Sequence, residues 1–351
     1  MAGKMAVGVL GATGAVGQRF VELLDGHPWF EVVELVASDR SAGRVYGEAV
    51  NWKISAGPPA AVSGLVLKGL EDQLESRVLF SALPAEVAGP VEERLAAAGH
   101  AVFSNARNHR MDPDVPLLIP EVNPDHAAMI HHQRRRRGWQ RGLLVTNPNC
   151  STIHLTLALK PLCDHFGLRA VLVTTMQALS GAGYPGVASL DAVDNVVPYI
   201  GMEEEKMASE PLKLLGSLRD DCFVDADVAI SATCTRVAVR DGHTEAVSVA
   251  LRQPATLEEV AAALAGFRAR PQALGLPSAP ARPVVVMSQP DRPQPVLDRL
   301  VERGMATVVG RLRPCPVLDY KFVLLGHNTI RGAAGASVLN AELLKVEGYL
   351  E

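Results

Sequence analysis

The chain has five cysteines, at 150, 163, 222, 234 and 315, and one of them stands where a thiol could do chemistry. Cys150 follows Thr146-Asn-Pro-Asn149 and precedes Ser151-Thr152, where an apolar, strand-like run gives way to a helical pattern. A cysteine at a helix N-terminus feels the positive end of the helix dipole, which lowers its pKa and favours the thiolate. The same end offers backbone N–H groups able to hold an oxyanion. The other four cysteines read as buried structural residues. An odd number with no CxxC pair is neither a disulfide framework nor a zinc site, so no metal is expected and a reducing, cytoplasmic setting is.

A thiolate that attacks a carbonyl needs a proton-transfer partner and, for an acidic substrate, a cation. Arg236 and His243 offer both within eight residues. A histidine after an Asp-Gly turn is more often a surface residue. In one continuous strand, positions seven apart face opposite sides. The turn at Asp241-Gly242 interrupts any such strand, so the spacing leaves their relation open.

A second constellation lies near the N-terminus. Gly11-Ala-Thr13-Gly14-Ala15-Val16-Gly17 follows a first strand and opens a first helix. Glycines there permit a tight turn and let helix N–H groups approach a pyrophosphate. The spacing is GxxGxxG, the variant common among NADP enzymes. The second strand ends at Ser38-Asp39-Arg40-Ser41. Ser38, Ser41 and Arg40 could bind a ribose 2′-phosphate, which an acidic residue would repel. Asp39 is compatible if it points away.

These residues need elements to position them. Apolar runs at 5–10, 30–38, 77–83, 100–105 and 143–148 alternate with helical patterns at 16–24 and 87–98. Alternation of this kind predicts a parallel, doubly wound sheet. After a helix over 151–166 come runs rich in Val, Ala and Thr at 171–179, 227–240 and 245–252, joined by turns such as Asp241-Gly242. They predict an α+β domain with a mostly antiparallel sheet. The stretch 270–315, rich in Pro and Arg, reads as irregular and exposed, and the tail from 329 as a terminal helix. Hydrophobic residues are 48%, charged residues 21% and net charge is -4, an ordinary globular balance that suggests neither nucleic acid nor membrane as partner. The basic run 131–141 reads as a solvated loop or helix end. MAGKMAVGVL reads as a buried strand, not a signal peptide, and no apolar stretch reaches the roughly 18 residues of a membrane span.

Taken in order, GATGAVG, SNARNHR (104–110), PEVN (120–123), NPNCST (147–152), MQALSGAGYPG (176–186), EEEK (203–206), RVAVRDGH (236–243) and GHNTIRGAAG (326–335) resemble the motif series of the aspartate-semialdehyde dehydrogenase family. RRRGW before the cysteine motif and EEEKM look more like its archaeal and fungal branch. The resemblance implies an NADP-binding domain over 1–149, completed by the helix 329–351, and a catalytic and dimerisation domain over 150–328. It also implies a homodimer or homotetramer and an oxidoreductase serving lysine, threonine, methionine and isoleucine biosynthesis.

Roles carried over with it make Cys150 the acylated nucleophile, His243 the general acid/base and Gln177 the residue that orients the acyl group. Arg236 would grip the substrate α-carboxylate and Glu203 its amino group. Arg110 and Lys206 would bind phosphate, with Asn149 alongside, although Arg107 competes with Arg110 for that assignment. Ser180, Gly181 and Asn328 would meet the nicotinamide, and Ser81 and Leu83 would also line the NADP site. In the biosynthetic direction Cys150 would displace phosphate from aspartyl 4-phosphate, and reduction of the thioester would release the semialdehyde. One rival is an N-acetyl-glutamyl-phosphate reductase, which usually has an aromatic residue and proline after the cysteine. Glyceraldehyde-3-phosphate dehydrogenases have two threonines and asparagine there. A catalytically inactive nucleotide-binding paralogue is the rival from a different class.

Overall fold

The structure is a computed structural model describing residues 3–55 and 57–351. Five short strands, β1 (Met5–Leu10), β2 (Phe30–Val36), β3 (Val78–Ser81), β4 (Ala101–Ser104) and β5 (Leu143–Thr146), form one sheet in the order β2-β1-β3-β4-β5. Every pairing is parallel, and β3, β4 and β5 are buried along their whole lengths. That is the continuous apolar character of strands covered on both faces. Helices α1 (Ala15–Leu24) and α2 (Ala85–Ala97) connect them. Phe80 lies at the centre of the core, 5.1 Å from Phe20 and 5.7 Å from Phe103 between ring centroids. Burying each such ring contributes about 1.5–3 kcal/mol.

Helix α3 (Met129–Arg137) carries the basic run and stops at Gly138, whose φ of 69° gives the left-handed cap. Two of its four arginines are committed to structure, while Arg135 and Arg136 are exposed. Arg137 pairs with Asp114 at 2.7 Å and Asp112 at 3.2 Å, and Arg134 donates to the carbonyls of Gly142 and Tyr349.

Helix α4 (Cys150–Phe166) leaves β5 and lies on a second sheet. Its strands are β6 (Leu168–Gln177), β9 (Ala229–Arg236), β10 (His243–Leu251), β11 (Val284–Met287), β12 (Thr307–Pro314) and β13 (Tyr320–Gly326), in the order β11-β12-β13-β10-β6-β9. A separate hairpin joins β7 (Ser217–Arg219) and β8 (Cys222–Val224). The three central pairings of the large sheet are antiparallel and the two outer ones parallel, so the sheet is mixed with an antiparallel centre.

Three expectations need correction. Asp241-Gly242 does not close a hairpin: β9 stops at Arg236 and β6 lies between it and β10, bonded to both. The stretch 270–315 is not irregular, because Val284, Val285, Val308 and Val309 enter the core on two strands whose β-branched runs outweigh the surrounding Pro and Arg. Nor are the four remaining cysteines uniformly buried. Cys234 is, Cys163 and Cys315 are half-buried, and Cys222 is exposed on the small hairpin.

Helix α5 (Glu203–Leu215) runs beside α4, and α6 (Leu257–Gly266) covers the opposite end. The last helix, α7 (Gly335–Val346), returns to the first sheet, where Val338, Leu339, Leu343 and Leu344 join the cluster around Phe80.

Candidate active site

The turn between β5 and α4 is fastened at every polar atom of Asn149. Its side-chain oxygen accepts the N–H groups of Ser151 (3.0 Å) and Thr152 (3.3 Å), the usual work of a helix N-cap. Its Nδ2 donates to Glu203 at 2.8 Å and its backbone N–H to Glu210 at 2.6 Å. The cap therefore consumes N–H groups that the helix end was expected to offer an oxyanion. At the nucleophile itself, the N–H of Cys150 is the one left for that task.

Gln177 ends β6, Arg236 ends β9 and His243 begins β10. Gln177 pairs in register with Arg236, and the antiparallel β10 brings His243 to the same edge. Three residues distant in sequence thus share one end of three neighbouring strands. Both Arg236 and His243 hold Ala178, the residue after Gln177: Arg236 Nη1 donates to Ala178 O at 2.7 Å, and Ala178 N–H donates to His243 Nδ1 at 3.0 Å. A ring nitrogen that accepts carries no proton, so neutral His243 keeps its hydrogen on Nε2, which lies 3.1 Å from Cys150 Sγ.

Burial pushes the Cys150 thiol up to about 12, with Glu203 adding to the effect, while Arg110, Arg236 and Lys206 act against it. Burial, Arg236 and His327 bring His243 down to about 3. The pair therefore rests as thiol and neutral imidazole at neutral pH, a correction to the expected thiolate: desolvation outweighs the favourable charges. Burial also works against the Glu203 carboxylate. Even so, Lys206 at 2.7 Å, with bonds from Gln177 and Asn149, holds it below the ordinary value.

Arg110 is buried, donating from Nη1 to Glu210 at 2.8 Å and from Nη2 to Asn105 O at 2.8 Å. Arg107 is exposed. Lys213 then clamps the loop that carries Arg110, donating to the carbonyls of Arg110, Asp112 and Val115. Sequence reasoning missed Glu210 and Lys213. The signal was present, since both extend the Glu203 face of α5 at helical spacing.

The glycine-rich turn fits a dinucleotide. Gly11 has φ of 74°, a Cβ there would meet the Ala82 carbonyl at 2.7 Å, and a Cβ on Gly17 would run into Gly11. Gly14 and Ser38, Arg40 at the end of β2 are exposed, and Thr13, Ala15, Val16 and Ser41 are partly so. From α1 a cleft of about 450 Å³ passes Ala15, Arg19, Lys53, Ser180, Tyr184 and Thr329. Asn328 donates to Ser180 Oγ at 2.8 Å and accepts the Gly242 N–H at 2.9 Å. A Cβ on Gly181 would fall 2.9 Å from Arg236 and 3.0 Å from His243. Ser81 stands apart: its hydroxyl is buried and donates to Glu92, and Leu83 packs into the adjoining apolar cluster.

Two family models match the chain: "Semialdehyde dehydrogenase, NAD binding domain" over residues 6–130 and "Semialdehyde dehydrogenase, dimerisation domain" over 159–331. The domains are those of the semialdehyde dehydrogenases, oxidoreductases with a dinucleotide-binding domain. An aspartate-semialdehyde dehydrogenase of the archaeon Methanothermobacter thermautotrophicus is 52% identical, covering 96% of this chain and 98% of the relative. One from the fungus Cryptococcus neoformans is 47% identical over 99% of each. The solved aspartate-semialdehyde dehydrogenase of Candida albicans, with NADP, superposes at a TM-score of 0.91 with 43% identity, covering 98% of this chain and 99% of that one. The chain belongs to the aspartate-semialdehyde dehydrogenase family, as its motif series implied.

Proposed function

We propose that the chain catalyses the NADP-dependent interconversion of L-aspartyl 4-phosphate and L-aspartate 4-semialdehyde plus phosphate, within the biosynthesis of lysine, threonine, methionine and isoleucine. The observation that carries this reading is Cys150 Sγ at 3.1 Å from His243, with Arg110, Arg236 and Lys206 all acting on its charge. Cys150 attacks the acyl carbon, its thiol proton leaves with the departing phosphate, and a thioester held by Gln177 results. Arg110 and Lys206 take the phosphate, Arg236 the α-carboxylate and Glu203 the α-ammonium. When bound, reduced NADP supplies a hydride to the acyl carbon. Collapse to the aldehyde frees the sulfur as a thiolate; the Nε2–H of His243, 3.1 Å away, steadies that charge, and a proton from solvent restores the thiol.

Glu203 also separates this reading from an N-acetyl-glutamyl-phosphate reductase, whose acylated nitrogen has no positive charge for a carboxylate to meet. Gly11, Gly14, Gly17 and the open end of β2 support NADP as the cofactor. For assembly we read a homodimer, with a homotetramer as the alternative. The apolar residues Leu190 (90% exposed), Val193 (67%) and Tyr199 (69%) stand beyond the large sheet. A cytoplasmic location fits five free cysteines, and among the described residues no helix is long and apolar enough to cross a membrane. The deciding experiment mixes aspartate semialdehyde, phosphate and NADP and follows absorbance of the reduced cofactor. Turnover that does not depend on phosphate would refute the proposal.

A further inference from the structure

Glu210 is a buried carboxylate that holds two parts of the site at once. It sits on α5 seven residues beyond Glu203 and is 2% exposed. Residues seven apart on a helix share a face, so both acids point at the turn before Cys150. The two oxygens of Glu210 do different work. One accepts from Arg110 Nη1 at 2.8 Å, the other from the backbone N–H of Asn149 at 2.6 Å. Asn149 adjoins the nucleophile. Arg110 is therefore held at one terminal nitrogen by a charge and at the other by the carbonyl of Asn105.

A planar guanidinium tethered at both terminal nitrogens has its plane and tilt set. Its Nε–H is buried and has no hydrogen-bond partner among the described residues. A buried, unpaired donor on a cation is costly unless an acceptor arrives. The acceptor class that suits an arginine edge is an oxyanion, phosphate above all.

We propose that Glu210 is the positioning residue for the phosphate of the reaction. It aims Arg110 so that the unpaired Nε–H edge receives a phosphoryl oxygen, and through Asn149 it ties that aim to the placement of Cys150. The inference rests on the assignment of phosphate to Arg110 made above. Glu210 touches neither the acyl group nor the cofactor, and acts through its two partners.

The test substitutes Glu210→Gln. An amide has one oxygen, so it can satisfy Arg110 or Asn149 but not both, and it turns an N–H toward the other. Glu210→Asp keeps the charge and both acceptors on a shorter stem. In the phosphorylating direction, Glu210→Gln raises the phosphate KM by about tenfold or more, the loss expected for a charged hydrogen bond, and leaves the NADP KM within about twofold. Glu210→Asp recovers part of the difference.

A second readout needs no turnover. Phosphate shields Cys150 of the parent enzyme from iodoacetamide, and Glu210→Gln requires proportionally more phosphate for the same protection. Unchanged phosphate KM and unchanged protection in Glu210→Gln would overturn the proposal. So would an equal rise in the KM of all three substrates, the mark of general loosening. Should Glu210→Gln not fold, Glu210→Asp carries both measurements, with a smaller shift confined to phosphate. If the parent shows no phosphate-dependent turnover while Glu210→Gln still weakens protection, the reaction assigned above fails and the role of Glu210 stands.

Discussion

At the scale of single residues, the chemistry turns on a thiol whose proton is hard to remove. With burial raising Cys150 to about 12, the neutral form dominates at every pH below that value. Alkylation of the free enzyme by iodoacetamide, followed as loss of activity, should climb about tenfold per pH unit through pH 9 and beyond. A rate that bends over near pH 9 and levels off above it would mark an ordinary thiol and refute the desolvated environment. Cys150→Ser should cut turnover by about a thousandfold or more, as removal of a covalent nucleophile does. Cofactor titration should be nearly unaffected, because the glycine turn lies on the other domain. Cys150 was legible in the sequence because a strand-to-helix junction is a local pattern. Its titration was not, since desolvation depends on what the rest of the chain lays over it.

The elements explain why the helpers of Cys150 could be named but not placed. Arg236 and His243 read as one segment with an ambiguous phase. They are in fact the ends of two strands separated by β6, and no local pattern reveals which strand intervenes. That arrangement makes Arg236 a fixed feature of the sheet edge, tied to Ala178 O at 2.7 Å. Arg236→Lys keeps the charge but loses the planar fork. We expect a large rise in the semialdehyde KM and a fall in kcat as the acyl carbon is misaligned, with the phosphate KM spared. Steady-state kinetics varying the two substrates separately decide it: a raised phosphate KM with an unchanged semialdehyde KM would exchange the two anion sites. The stretch 270–315 was misread for a related reason. Proline and arginine dominate its composition, while the short apolar runs that enter the sheet become visible only through their partners.

For the whole molecule, the doubly wound sheet was legible because β3, β4 and β5 are buried on both faces and read as apolar throughout, and β1 and β2 do so over their C-terminal halves. The cofactor end follows from it. Arg40 stands exposed beyond β2, where a 2′-phosphate would lie. Arg40→Ala should weaken NADP by roughly ten- to a hundredfold and leave NAD almost untouched, the scale of one charged contact. Equal kcat/KM for both nucleotides in the parent enzyme would contradict this.

The path of the chain has one further consequence. Asn147, three residues before the nucleophile, donates to Ala333 O and Ser337 Oγ and accepts from Asn340, and a Cβ on Gly332 would come 2.9 Å from that of Cys150. The reactive centre is thus enclosed by residues that come far later in the chain than Cys150 itself. Synthesis runs from the N-terminus, and domains ordinarily fold as they emerge. Here the thiol is translated long before the segment that surrounds it. Until α7 has been made, the contacts that Asn147 forms with Ala333, Ser337 and Asn340 are missing beside Cys150, so a chain cut before Gly332 is expected to show no turnover.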